Sequence, residues 1–181
     1  MPVILSGNDV STFSDGARST PTAEDQQFPG YQQGIWTPNF ICYVGSDIDT
    51  TKSGTTSVPA GFTATWCRVG NLVTFGGYIK LDGQGTLVGE VALTGHPYPV
   101  DTSYYSGSVS YWSLATAIGN VGITLEDGRN YALFRSLASA AQSMAQPNYG
   151  SDFNDGSQII FTMSYLTTDT TWQPINGATI S

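Results

Sequence analysis

The sequence predicts an all-β fold, an antiparallel β-sandwich of jelly-roll type preceded by an extended N-terminal arm. Three observations carry that expectation. Apolar residues recur with a period of two in segments about ten residues apart, with turn-forming clusters between them, as sandwich and barrel strands require. The 181 residues include 21 glycines and 9 prolines, which punctuate the chain too often for a helical bundle. Only 6 lysines and arginines stand against 14 aspartates and glutamates, a formal net charge of −8, while 8 Phe, 10 Tyr and 4 Trp supply apolar surface. That aromatic content excludes a disordered chain, which lacks the surface to offset its conformational entropy. Six scattered cations cannot neutralise a phosphate backbone, so no nucleic-acid partner is expected.

Residues 1–34 hold Asp, Ser, Thr, Gln and Gly with isolated apolar residues and no sustained period, which predicts an arm without a core of its own. Its spaced aromatics Phe13, Phe28 and Tyr31 are the candidate anchors against a partner. Residues 35–168 form the expected sandwich and 169–181 a C-terminal tail. Phe40, Cys42 and Val44 alternate with Ile41 and Tyr43, all apolar, so this strand is expected to be covered on both faces. Residues 45–61 are polar and turn-rich, a loop or weak hairpin. Strands over 62–69 and 72–81 flank Gly70-Asn71, a pair that accepts positive φ and so signals a tight hairpin.

After the turn at 82–85 another strand is expected over 86–94. Gly95-His96-Pro97-Tyr98-Pro99 then breaks pairing, because proline donates no ladder hydrogen bond. Alternation resumes over 105–116, where Val109 and Tyr111 face one way and Trp112 and Leu114 the other. Strands over 121–125 and 130–137 flank a turn centred on Asp127-Gly128. Leu137, Ala141 and Met144 have helical spacing, which leaves a loop or a short helix over 137–145. The final strand spans 158–166.

The opening residues hold only a three-residue apolar run, Val3-Ile4-Leu5, against the roughly 7–15 of a signal peptide. No segment approaches the ~20 apolar residues of a membrane span, so neither secretion nor membrane insertion is expected. Cys42 and Cys67 are accordingly expected as reduced, buried thiols in neighbouring strands. Signatures of chemistry are few. The single histidine, His96, reads as a turn or rim residue at a strand end, with no GxSxG motif beside it. The pairs Asp47/Asp49 and Asp152/Asp155 could each lie close enough for glycosidase chemistry, but loop aspartates beside Ser and Gly more often cap turns. The 150–156 loop lacks the bidentate Glu of a calcium loop, and no phosphate-cradling glycine motif is present. No catalytic residue, cofactor or metal is expected.

Aromatic residues cluster instead: Tyr98, Tyr104, Tyr105, Tyr111 and Trp112 surround one strand and the loop before it. Rings with polar tips suit surfaces that bury area yet stay partly wet, and they stack on sugars, so these five are the candidate partner or receptor contacts. Strands apolar on both faces further suggest copies burying surface against one another, and a cyclic homo-oligomer would close open sheet edges.

Four segments, in order, resemble a known family. Gly34-Ile35-Trp36-Thr37-Pro38 is similar to the GxWTP entry of small β-domains found at the C-terminal ends of tailed-phage fibre and spike proteins. Residues 65–73 (TWCRVGNLV) are similar to that family's Y-x-R-I-G-N-x-V hairpin, and 91–98 (VALTGHPY) to its V-x-I-x-G-L-P-F strand end. Residues 159–165 (IIFTMSY) are similar to its closing I-x-F-x-x-x-Y strand. The chain departs from the family in placing His96 where an aliphatic residue is usual, and in lacking a long shaft before the domain.

The resemblance implies a trimeric β-sandwich of a virion, without enzymatic activity and assembled in the host cytoplasm. Its leading form is a tail fibre or tip protein for host attachment, joined to other tail or capsid proteins through residues 1–34 and facing host surface glycan. A capsid decoration (cement) protein forming trimers on the head is the alternative, and a polysaccharide-degrading enzyme a distant one.

Overall fold

Side chains alternate across a strand, so each amphipathic segment must pair and turn one face inward. The computed structural model describes residues 30–45, 47–113, 121–126, 129–137, 144–145 and 152–181, with the backbone alone at 111, 112, 136, 137, 144 and 145. Its strands are Tyr31–Ile35 (β1), Asn39–Val44 (β2), Asp47–Ser53 (β3), Thr55–Ser57 (β4), Thr65–Val69 (β5), Leu72–Gly83 (β6) and Glu90–Thr94 (β7). Tyr105–Ser113 (β8), Val121–Leu125 (β9), Ala132–Leu137 (β10), Met144–Ala145 (β11), Gln158–Leu166 (β12) and Thr179–Ile180 (β13) complete them. They form one sheet in the order β13-β1-β5-β6-β12-β8-β9-β10-β7-β2-β3, with β4 beside β6 and β11 beside β10. Every pairing is antiparallel.

β6 is the spine. One edge pairs β12 from Gln158↔Lys80 to Leu166↔Leu72. The other edge pairs β5 along its first half and β4 along its second. Because only Gly54 separates β3 from β4, the chain passes directly from pairing with β2 to pairing with β6. That hand-over curls the sheet into a half-barrel, a sandwich-like and jelly-roll-like architecture. A Cβ at Gly54 would lie 2.5 Å from Leu81 Cδ1 and 2.6 Å from Leu87 Cδ1, so a larger residue at the bend would displace both leucine tips.

The inner face carries one core. Trp36 meets Phe75 edge-on at 5.2 Å, and Phe75 meets Phe161 and Tyr165 at 5.8 and 5.7 Å. Phe40, Phe134 and Phe153 continue it across β2 and β10. Such edge-to-face rings add on the order of 0.5–1.5 kcal/mol per pair beyond area burial. Phe40, Ile41 and Cys42 are all buried, with Ile41, Ala92, Tyr131 and Leu133 forming a second cluster on the outer side. The strand expected to be covered on both faces is so over residues 40–42, whereas Tyr43 is half-buried and Val44 is exposed. The Gly70-Asn71 hairpin also forms, Val69 facing Leu72 and Gly70 holding φ +58°.

Several expectations need correction. Residues 47–57, expected as a loop or weak hairpin, are two strands that pair with β2 and β6 rather than with each other, because the chain is handed over at Gly54. Cys42 and Cys67 are free thiols, but Cys67 is only half-buried and their strands β2 and β5 are not neighbours. Met144–Ala145, assigned to a loop or short helix, pairs with β10; residues 138–143 lie outside the described residues, as does the arm over 1–29 with Phe13 and Phe28. The sheet begins at Tyr31, inside the expected arm, since β1 pairs β5 from Tyr31↔Val69 to Ile35↔Thr65. Residues 169–181 are no loose tail either, because β13 pairs β1.

Arg68 holds that C-terminal segment in place. Its side chain is 1% exposed. Nε donates to Gly70 O at 2.8 Å, Nη1 to Asp169 Oδ2 at 2.8 Å and Nη2 to Asp169 O at 2.5 Å. The guanidinium lies between the rings of Trp172, at 3.8 Å, and Tyr98, at 4.5 Å. Burial alone would raise the Asp169 carboxyl, yet hydrogen bonds from Thr171, Arg68 and the Trp172 amide outweigh it and hold it below the usual range. Arg68→Ala should therefore leave the half-buried Asp169 carboxylate without its cation and empty the space between Trp172 and Tyr98, lowering the unfolding free energy by about 3 kcal/mol in urea titration. Arg68→Lys should rescue little of it, because an ammonium can neither fork nor stack; recovery of most of the loss by lysine would contradict this.

Candidate functional site

The chain leaves the Pro97–Pro99 segment and enters β8, whose first residues pair with β9: Tyr105↔Leu125, Ser106↔Thr124 and Gly107↔Ile123. β9 pairs β10, placing Arg135 opposite Gly122. These three strands surround a pocket of about 380 Å³ lined by Tyr104, Tyr105, Ser106, Thr124, Glu126 and Arg135. Arg135 Nη2 donates to Glu126 Oε1 at 2.5 Å, and Arg129 Nε lies 3.6 Å from Glu126 Oε2. The Tyr104 side chain stands out into solvent at 73% exposure. Tyr105 donates its hydroxyl to Asp101 Oδ1 at 2.8 Å, and Asp101 also caps the Ser103 amide. Burial, then that bond to a carboxylate, raises the Tyr105 phenol above its usual range, so it remains a neutral donor. A free ring, a fixed ion pair and hydroxyls within one hollow can stack on a flat apolar ligand face and hydrogen-bond its polar rim.

Of the five aromatic contacts expected from sequence, this hollow brings together Tyr104 and Tyr105. Tyr98 is corrected. It is fully buried, its amide donates to Tyr165 Oη at 3.0 Å and its hydroxyl bonds Gln32 Oε1, so it packs under Arg68 and meets no partner. The backbone of Tyr111 and Trp112 lies in β8 opposite Ile160 and Ile159, and their side chains are outside the described residues. Tyr31, the one described anchor candidate, opens β1 and donates to Gln33 Oε1 at 2.7 Å. Glu126 and Arg135 were missed in sequence because they are neither adjacent nor part of a motif; their only signal is that charged residues are scarce and these two flank one hairpin.

His96 is corrected too. It is no rim residue but is 1% exposed, packed against Phe75 and Tyr165. Among the described residues neither ring nitrogen has a hydrogen-bond partner. Asp47 and Asp49 lie in β3 rather than in a turn: Asp47 Oδ1 accepts from the Ile48 amide, and Asp49 accepts from Thr51 and pairs Lys52 at 3.3 Å. Asp152 and Asp155 flank the turn before β12, where Asn154 and Ser157 exchange hydrogen bonds. Among the described residues no three His, Cys, Asp or Glu side chains cluster to hold a metal, and no helix is long and apolar enough to cross a membrane.

No protein-family model and no curated protein matches the chain. Among solved structures it is similar to the Dettilon tailspike protein, at 13% identity and a TM-score of 0.53, over 75% of this chain and 23% of that one. The chain thus spans under a quarter of the tailspike's length, and at this identity the likeness establishes a shared fold.

Burial drives the His96 imidazole down from its ordinary value of 6.5 to about 4. Above pH 6.5 the ring is neutral folded or unfolded, and stability is full. As pH falls through 6.5 the unfolded chain binds the proton first, so stability drops until about pH 4, by at most about 3 kcal/mol. Urea titrations of wild type and His96→Phe between pH 4 and 7 should show that slope in the first and its loss in the second; parallel pH profiles would refute the assignment.

Proposed function

We propose that this chain is a non-enzymatic structural protein of a virus particle, a trimeric tail fibre or tip protein that attaches the particle to its host. The observation that carries this reading is the fold shared with a tailspike protein. The resemblance of the GIWTP, hairpin and closing-strand segments supports the same placement, as does the engagement of Asp47 and Asp49 by backbone amides of their own strand. Residues 1–34 supply the connection to other particle proteins, ending where β1 enters the sheet. The Tyr104–Tyr105 hollow faces host surface glycan: Tyr104 offers its ring to a sugar face, while Glu126, Arg135 and Thr124 meet sugar hydroxyls.

Antibody labelling of intact particles tests the placement. Label at the tail tip is expected; label on heads would replace this reading with a capsid-decoration one, and release of oligosaccharide by the purified protein would replace it with an enzymatic one. For the contact site, Tyr104→Ala should weaken binding of purified protein to host cells about tenfold, the equivalent of ~1.4 kcal/mol. Tyr104→Phe should bind nearly as wild type, because stacking needs the ring and not the hydroxyl. Unchanged binding by Tyr104→Ala would remove the hollow from the reading.

A further inference from the structure

The outward face of β1, β5, β6 and β12 is uncharged and carries apolar residues in a defined row. The registers align Tyr31 with Val69, Val69 with Leu72, and Leu72 with Leu166, so these four side chains cross the sheet side by side. Val69, Leu72 and Leu166 are 43–57% exposed. The next row is Gln33, Cys67, Thr74 and Ser164, and the one after runs from Ile35 through Thr65 and Gly76 to Thr162. None of these positions bears a charge. Arg68, between the rows in sequence, points inward. On β6 the first outward charge is Lys80, far along the strand and paired with Asp82 at 2.7 Å. Charged residues number only 20 of 181, so the row of exposed apolar side chains, more than the missing charge, sets this face apart.

We propose that this face is the contact between copies of the chain, turned toward the rotation axis of a cyclic homotrimer; the inference rests on the trimer reading above and adds the surface that makes it. Cyclic symmetry supplies the reason. About an axis parallel to the strands, each row meets the same row of its neighbours at the same height. A charge close to the axis would confront its own kind, which costs several kcal/mol at close range. Neutral rows avoid that penalty, and the apolar row meets apolar rows, where burial is favourable. No other partner fits as well. An anionic membrane would repel a chain of this net charge and finds no lysine or arginine in the rows, while a charged protein partner finds no counter-charge there.

Light scattering of the purified full chain reads the outcome. Wild type should contain three chains, while Val69→Glu and Leu72→Glu should be single chains with unchanged circular dichroism. Val88→Glu, equally exposed but outside these strands, should keep three. Three chains surviving in both Val69→Glu and Leu72→Glu would overturn this face and leave the trimer reading intact; a single-chain wild type would overturn both. Should either variant fail to fold, Cys67 provides a wild-type readout, because it lies in the second row and Cys42 is buried. Its thiol should resist maleimide in the assembled particle, and labelling at the rate of free cysteine would overturn the proposal.

Discussion

A buried guanidinium governs the open end of this fold. Arg68 has no access to water, so each of its donors needs a protein acceptor; Gly70 supplies one, and Asp169, a hundred residues on, supplies the others. Once Asp169 is in place, Trp172 covers the guanidinium and its carbonyl accepts from Gln32 at 3.0 Å. The following residues then reach back over the Pro97 segment: the Ile175 amide bonds Pro97 O and Asn176 bonds His96 O. β13 finally joins β1. The roof over His96 and the outermost strand thus both trace to one cation that could not be left unpaired.

Local periodicity explains which parts were legible in the sequence. The strand at 158–166 was bounded correctly, because its alternation is strict and β6 and β12 pair along its whole length. Residues 40–42 showed their two-sided burial because every side chain there is apolar. What escaped is non-local. The pairing of β1 with β13 joins positions almost 150 residues apart, and neither strand is long enough to display a period. Tyr98, between two prolines, has the sequence context of an exposed loop, but its amide and carbonyl are both satisfied by the Tyr165 hydroxyl. Nothing local marks Arg68 as buried either, except that it stands two residues after Trp66 and so shares the inward face of β5.

The candidate contact region was legible in part for a chemical reason. Aromatic clustering can be counted in a sequence, and two of the five residues do line the hollow. The ion pair beside them arises because β9 and β10 form a hairpin that sets Arg135 near Glu126. The surface is thereby divided. Charges and rings that can grip a ligand gather where β8, β9 and β10 meet, whereas the outward rows of β1, β5, β6 and β12 are neutral.

The bend at Gly54 has an effect on what the molecule refuses to do. Where β5 leaves β6 at Gly76, β4 takes over the same edge from Lys80 to Gly83, so the longest strand leaves little of its backbone unpaired. At the opposite limit lies β13, two residues long, too brief to template a foreign strand. An incoming chain therefore finds little free backbone on the twelve-residue spine or on this terminal strand from which to nucleate a fibril.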